Sequence, residues 1–377
     1  MHQPICELCL DFRSLTDAMD HWSTQTPGNP ALSFLAGDNV TTLSYADLHQ
    51  RALAIAGELL SHCEPEDRVI LGYEQSLDYV AGFLGCVYAG TVAVTSSPPT
   101  ELRRSTRLTR LIEDSGAVAI LTNDAAKDAF DQVGGKITLV NSDHMTAALL
   151  AAPRPAQPED LMFLQYTSGS TSDPKGVMLS HGSIGANLRA IVADTRPEAD
   201  SVYVSWLPLY HDMGLIFMTL APLFAGRPVY LMSPTEFLRH PERWLEAISF
   251  WRGTITAAPN FAYRLCCERV RGQKVRSLDL SSMKFFINGS EPIRTEDMDT
   301  FVEAFSAAGL RRDAMIGGYG MAELGVYASI GPIFTTDTHF DAQNLADEGR
   351  AVAVAPGTTA RRLAACGCAN PEHFDLC

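Results

Sequence analysis

Apolar and polar positions along the chain follow two alternating periods. After Ser44, the residues Leu48, Ala52, Ile55 and Leu59 recur at three- and four-residue spacing, which is the buried stripe of a helix. Ser44-Tyr45-Ala46-Asp47 precedes that stripe with an acid three residues after the hydroxyl, so a capping box starts the helix there. Short β-branched runs follow at 68–71, 91–95, 117–122 and 136–140, with helical patterns at 77–88 and 104–114 between them. Strands separated by helices predict a largely parallel α/β sheet. Pro98-Pro99 predicts a rigid turn, and the proline-rich stretch 153–158 a connection into a strand over 161–166. The second half repeats the alternation, with strands over 202–206, 254–257 and 284–287 and a helix near 242–251. No internal repeat is visible. Beyond Gly331 the pattern weakens and predicts no closing element.

One segment breaks both periods and carries chemistry. Thr167-Ser168-Gly169-Ser170-Thr171-Ser172-Asp173-Pro174-Lys175-Gly176 lies between the apolar runs 161–166 and 177–179. Hydroxyls, glycine-permitted backbone amides and one lysine form an anion-binding concavity that suits a polyphosphate. It is not a Walker A loop, because Lys175 is followed by Gly176 and a second strand-like run rather than by a hydroxyl residue and a helix. A flexible Ser/Gly linker would lack the two flanking strands.

Composition narrows the partners. A length of 377 residues and a hydrophobic content of 46% allow a large core, and about 100–200 residues per domain gives two or three lobes. The net charge of −15 repels nucleic acid and anionic membranes, while leaving room for a phosphate held by local groups. Arg103, Arg104, Arg107 and Arg110 are the local exception and read as one solvated helix face. The longest apolar stretch, 214–226, is broken by Thr219 and Pro222 and is too short for a membrane span, which needs about 20 residues. The N-terminus lacks a basic region leading into an apolar one, so a soluble, cytoplasmic protein is expected. Nine cysteines, an odd number, suit a reducing compartment. Cys6/Cys9 and Cys366/Cys368 lack matching partners at zinc spacing and read as incidental thiols.

The segment from Tyr166 to His181 resembles the phosphate loop of the adenylate-forming superfamily, which includes acyl-CoA synthetases, luciferases and nonribosomal-peptide adenylation domains. Three further segments follow in that superfamily's order, and the resemblance runs from about Leu15 to the end of the chain. Trp206-Leu207-Pro208-Leu209-Tyr210-His211-Asp212-Met213-Gly214-Leu215 is similar to the segment lining the acyl pocket. The resemblance implies that His211 sits beside the carboxylate and the α-phosphate, where a donor offsets the repulsion of two anions. Asn288-Gly289-Ser290-Glu291-Pro292 follows an apolar run and should cap a strand's C-terminal end, the edge that ligands favour in such sheets. By resemblance this turn contacts adenine. Gly318-Tyr319-Gly320-Met321-Ala322-Glu323 is the last match. It implies Tyr319 stacking on adenine and Glu323 ligating Mg²⁺, which prefers a carboxylate plus phosphate oxygens. Ala322 stands where many superfamily members carry threonine.

Within the superfamily the chain resembles the fatty acyl-AMP ligases. The stretches Leu164 to Ser172, Ala258 to Leu265 and Asp279 to Lys284 carry that likeness, and the segment 332–365 falls where that branch has its own insertion. The resemblance implies a two-lobed α/β N-terminal adenylation domain with mixed, mostly parallel sheets flanked by helices. Its expected lobes are 66–190, then 12–65 with 200–335, then an insertion-like segment and tail at 336–377. It implies ATP and Mg²⁺ as cofactors, with a fatty acid activated to acyl-AMP for an acyl carrier protein in lipid, polyketide or lipopeptide biosynthesis. Thr167, Ser168, Gly169, Ser170, Thr171 and Lys175 would hold the phosphates. Trp206, His211, Met213, Gly214, Phe217, Asn260 and Phe261 would line the acyl pocket, with Leu215, Ile216, Met218, Phe224 and Tyr263 as further apolar candidates. Phe217 stands where some relatives have glycine, and its ring would shorten the tunnel. His211, Lys175 and Glu323 are the expected catalytic set.

Family members continue into a small barrel and a mobile lid domain whose lysine bridges carboxylate and phosphate, and this sequence stops at Cys377. Lys175 belongs to the phosphate loop and is not that lysine. The chain by itself is expected to bind both substrates and to adenylate poorly. Two other readings stay open: an acyl-CoA synthetase or other adenylation domain, and a non-catalytic acyl or nucleotide sensor without a lid.

Overall fold

The computed structural model describes residues 9–102, 107–130, 137–167, 175–334, 339–355, 357 and 359–368. In chain order the strands of its first part are β1 (Pro30–Ala36), β2 (Asn39–Ser44), β3 (Arg68–Gly72), β4 (Val92–Val94), β5 (Ala119–Thr122), β6 (Thr138–Asn141), β7 (Leu161–Thr167) and β8 (Lys175–Ser180). Then come β9 (Tyr203–Ser205), β10 (Val229–Met232), β11 (Ile255–Ala258), β12 (Phe285–Asn288), β13 (Met315–Tyr319), β14 (Ser329–Pro332), β15 (His339–Asp341) and β16 (Ala360–Arg362). Two compact units result: 1–200 with 205–234 and 322–326, and 201–204 with 235–321 and 327–377.

The first unit is built on a six-stranded sheet in the order β6-β5-β3-β4-β7-β8, parallel except for the antiparallel β7–β8 pair. Its helices form where the sequence places them. Ser44 Oγ accepts from the Asp47 amide at 3.1 Å and the Asp47 carboxylate accepts from the Ser44 amide at 3.2 Å, so the helix Tyr45–Leu59 starts on a complete capping box. Leu48, Ala52, Ile55 and Leu59 on its inner stripe are all buried. Burial of each large one contributes about 1.5–3 kcal/mol. The helix Leu77–Ala89 is buried along nearly its whole length and ends at Gly90, whose φ of +74° suits glycine alone at low cost. The Pro98-Pro99 turn proves to be the start of a short helix, Pro99–Leu102, because proline's fixed φ suits a first helical turn. In the same unit β1 pairs with β10 in parallel and with β2 in a hairpin. Arg107 and Arg110 are exposed on the helix Arg107–Ser115, while Arg103 and Arg104 lie outside the described residues.

The second unit carries the parallel strands β9, β11, β12 and β13, with β14 antiparallel on β13. An edge-to-face aromatic cluster fills its core: Tyr263 meets Phe301 at 5.1 Å and Trp244 meets Phe286 at 5.9 Å between centroids. Tyr263 also donates from its hydroxyl to the Ile287 carbonyl at 2.6 Å, fixing the helix Asn260–Arg269 to the last turn of β12. The region past Gly331, which the sequence left without elements, forms the antiparallel pair β15–β16 and a short helix, Ala342–Asp347. Strands of three residues are too short to show a period. Asp341 caps that helix by accepting from the amides of Gln343 and Asn344.

Candidate functional site

Within the first unit the β7–β8 hairpin brings the two ends of the Ser/Gly-rich loop face to face. Thr167 pairs with Lys175 and Tyr166 with Gly176, and Lys175 is exposed. Ser168, Gly169, Ser170 and Thr171 lie outside the described residues. The base of the hairpin is held from the side: the Tyr166 hydroxyl donates to Asp114 at 2.6 Å, and burial together with that carboxylate pushes its pKa up. Gly176 lets the ring lie close, since a Cβ there would stand 3.0 Å from the Tyr166 ring. The turn Ala322–Leu324 packs against β8, with Ala322 buried and Glu323 exposed. Glu323 therefore shares a unit with Lys175. Among the described residues no three His, Cys, Asp or Glu side chains cluster as a metal site. A lone exposed carboxylate fits an ion such as Mg²⁺, which takes the rest of its oxygens from phosphate and water.

The segment from Trp206 to Phe217 belongs to the same unit and is pinned by two glutamines. Gln75 donates to the Leu207 carbonyl at 3.1 Å and accepts from the Leu209 amide at 3.1 Å. Gln165, buried in β7, donates to the Tyr210 carbonyl at 2.7 Å. Next in the chain, His211 is half exposed, and its Nδ1 lies 2.6 Å from Asp212 Oδ1, which also accepts from the Met213 amide at 2.7 Å. The carboxylate fixes Nδ1 as the donor and leaves Nε2 as the other ring nitrogen. The hydrogen bond to Asp212 raises the His211 pKa above its ordinary value, outweighing the opposing effect of burial. Residues Met213–Leu220 then form a π-helix, a form concentrated at functional sites. Trp206, Met213, Gly214 and Phe217 are all buried.

Asp212→Asn is expected to lower the His211 pKa, as read from imidazole resonances in an NMR titration. The pair adds stability below the unfolded histidine pKa and loses it as pH rises through the raised folded value. Wild type should therefore lose stability relative to Asp212→Asn across that window. An unchanged His211 titration in the variant would contradict the geometry.

In the second unit the two glycine-containing turns meet at neighbouring strand ends. Asn288 ends β12 and Tyr319 ends β13. A Cβ on Gly289 would stand 3.1 Å from the Gly318 carbonyl oxygen, so backbone packs on backbone. Tyr319 is 50% exposed, leaving a ring face for a ligand, and Gly320, Met321, Ser290, Glu291 and Pro292 are also exposed. Ser290 holds a φ of +69°, uncommon for a residue with a side chain. Asn260 and Phe261 belong to this unit, and both are bonded to the turn Asn288 to Pro292. Asn260 Oδ1 accepts from Asn288 Nδ2 at 3.1 Å, and the Phe261 amide donates to Glu291 Oε1 at 2.7 Å.

The AMP-binding enzyme family profile matches residues 19–362. The chain belongs to the AMP-binding enzyme family. Among members of known name it is 38% identical over 327 residues to the medium-chain-fatty-acid–[acyl-carrier-protein] ligase JamA of Moorena producens, covering 83% of this chain and 55% of that one. It is 33% identical over 381 residues to the long-chain-fatty-acid–AMP ligase FadD26 of Mycobacterium marinum, covering 96% of this chain and 65% of that one. The crystal structure of the fatty acid AMP ligase from Legionella pneumophila superposes with a TM-score of 0.88 at 32% identity, covering 96% of this chain and 64% of that one. The chain thus spans between about half and two thirds of the length of these relatives. The likeness to the fatty acyl-AMP ligase branch and the mostly parallel α/β fold of its N-terminal domain are both met.

Four polar side chains that hold these segments were not singled out from the sequence: Gln75, Gln165, Asp212 and Asp297, whose carboxylate accepts from Asn260 Nδ2 at 2.6 Å. Asp212 stands next to His211, and a histidine followed by a carboxylate was the available signal. The glutamines bond to residues 45 to 157 positions away, and spacing carries no trace of that.

Proposed function

We propose that the chain activates a fatty acid as its acyl-adenylate. A carboxylate oxygen attacks the α-phosphorus of ATP, the bond to the β-phosphate oxygen breaks, and acyl-AMP and pyrophosphate form. The observation that carries this reading is the His211–Asp212 pair, on a segment held by Gln165 of β7, the strand that leads into the Ser/Gly-rich loop, and by Gln75 just beyond β3. A Legionella relative at 32% identity has been solved in complex with acyl adenylate and pyrophosphate, which supports the same chemistry.

Lys175 and the loop from Thr167 receive the phosphates, and His211 donates to the anionic acyl phosphate. Glu323 would hold Mg²⁺, which would offset the phosphate charge. Trp206, Met213, Gly214 and Phe217 supply apolar wall for the acyl chain, with Phe217 limiting its depth. Tyr319 and the turn Asn288 to Pro292 receive the adenosine. The acyl group then passes to the phosphopantetheine thiol of an acyl carrier protein, releasing AMP. The carrier-protein ligase relative and the insertion-like segment 332–365 support that choice of acceptor over coenzyme A. A cytoplasmic location belongs to the same reading, supported by the thiols of Cys63, Cys86, Cys266, Cys267, Cys366 and Cys368.

The test is a single-turnover incubation with ATP, Mg²⁺ and dodecanoate, followed by mass spectrometry. Dodecanoyl-AMP and pyrophosphate are expected in equal amounts, and a holo-carrier protein should accept the acyl group where coenzyme A does not. Formation of acetyl-AMP or an aminoacyl-AMP in place of dodecanoyl-AMP would sink the reading.

A further inference from the structure

Asn260 occupies an unusual position in the second unit: one side-chain oxygen closes both ends of a loop. It is the first residue of the helix Asn260–Arg269 and is 5% exposed. Its Oδ1 accepts from Asn288 Nδ2 at 3.1 Å, where the loop leaves β12. The same oxygen accepts from the Arg294 amide at 3.0 Å, where the loop enters the helix Thr295–Phe305. The next residue, Phe261, holds the loop's tip through its amide bond to Glu291 Oε1 at 2.7 Å. The start, tip and end of the segment from Asn288 to Arg294 are thus bonded to two consecutive residues.

The orientation of the Asn260 amide is itself fixed. Its Nδ2 donates to Asp297 Oδ2 at 2.6 Å, a charge-assisted bond that commits Oδ1 to the loop. Asp297 lies in the first turn of its helix, where a carboxylate is favoured. Asn288 is fully buried, and loss of the Asn260 oxygen would leave its Nδ2 with the weak acceptor Met298 Sδ at 3.2 Å. The loop so held includes Ser290 at φ +69°, a conformation that persists only where surrounding bonds over-determine it.

We infer that Asn260 and Asp297 are a positioning pair that pre-orders the turn Gly289 to Pro292 for the adenine ring of ATP. Asn260 is then a residue of the nucleotide site acting through the loop, and not part of the acyl wall. The inference rests on the proposed function, since it takes that turn as the adenosine-binding element.

The pair permits an exchange of roles that separates positioning from simple damage. Asn260→Asp keeps the acceptor for Asn288 and Arg294 but sets a carboxylate against Asp297. Asp297→Asn alone keeps an acceptor for Asn260 but removes the charge behind that bond, and should lower ATP affinity by less than Asn260→Asp does. Asn260→Asp with Asp297→Asn restores one donor and one acceptor with the roles reversed. ATP affinity should fall about tenfold in Asn260→Asp and return to within about threefold of wild type in the double variant. Dodecanoate affinity should stay level in all three. Hydrogen exchange at residues 289–293, measured without ligand, should quicken in Asn260→Asp and slow again in the double variant.

Unchanged exchange in Asn260→Asp would overturn the inference even if ATP binding fell. Equal ATP affinity in wild type and Asn260→Asp would overturn it alone and leave the proposed function standing. A selective loss of dodecanoate affinity would return Asn260 to the acyl wall. Wild-type chain that binds no ATP would remove the proposed function and the inference together.

Discussion

Replacing His211 by alanine is expected to weaken binding of a non-hydrolysable dodecanoyl-sulfamoyl-adenosine about 10- to 100-fold. A hydrogen bond from a charged donor to an anionic group contributes about 1.5–3 kcal/mol, and about 1.4 kcal/mol is a factor of ten. The structure supplies the reason for expecting a charged donor. Asp212 lies 2.6 Å from Nδ1 and raises the imidazole's pKa, so the ring stays protonated to higher pH than a free histidine. The sign of the pH dependence follows. Affinity should be greatest below the raised pKa and decline as pH climbs through it, and His211→Ala should bind without that dependence. Isothermal titration at several pH values reads both effects. A flat profile in wild type, or an alanine variant that binds as well, would place His211 outside the site.

Gly214→Ala should destabilise the fold by about 1–3 kcal/mol or more, the usual range for overpacking a buried site. The added Cβ would sit 2.1 Å from the Pro208 carbonyl oxygen and 2.8 Å from its carbon. These are backbone atoms, which cannot rotate away. The neighbouring Leu207 carbonyl and Leu209 amide are already bonded to Gln75, so the strand end has little freedom to retreat. The strain falls on the turn that carries His211, and affinity for the acyl-sulfamoyl-adenosine should drop together with the melting temperature. Gly28→Ala is the control, because nothing lies within 4 Å of the Cβ it would add. A melting curve for Gly214→Ala that overlays wild type would show that the π-helix packs otherwise.

These two positions also mark what a sequence can and cannot disclose. The helix Tyr45–Leu59 was legible because its capping box and its buried stripe are both local, set by neighbours three and four residues apart. The hairpin ends at Thr167 and Lys175 were legible because apolar strands flank a loop of unusual composition. The run Met213–Leu220 gave no such cue. A uniformly buried stretch looks alike whether it winds as an α- or a π-helix, and residue types do not reveal the close backbone approach of Pro208 to Gly214. The resemblance implies a place for Asn260 in the acyl wall, and the sequence gives no sign of its bonds to Asn288 and Asp297, 28 and 37 residues away. Polar networks of that span are assembled by tertiary structure and leave no period behind. The short strands β15 and β16 were missed for the same reason of scale.

The central claim is that this AMP-binding chain accepts a fatty acyl-adenylate. Thermal unfolding with dodecanoyl-, acetyl- and aminoacyl-sulfamoyl-adenosine tests it most directly, because binding needs no turnover. A ligand at about 100 times its dissociation constant stabilises by about 2.7 kcal/mol, enough for a clear shift. A shift with the dodecanoyl analogue that grows with concentration, and little or none with the other two, is the expected result. A shift with the acetyl or aminoacyl analogue that equals or exceeds the dodecanoyl one would contradict the fatty-acid assignment.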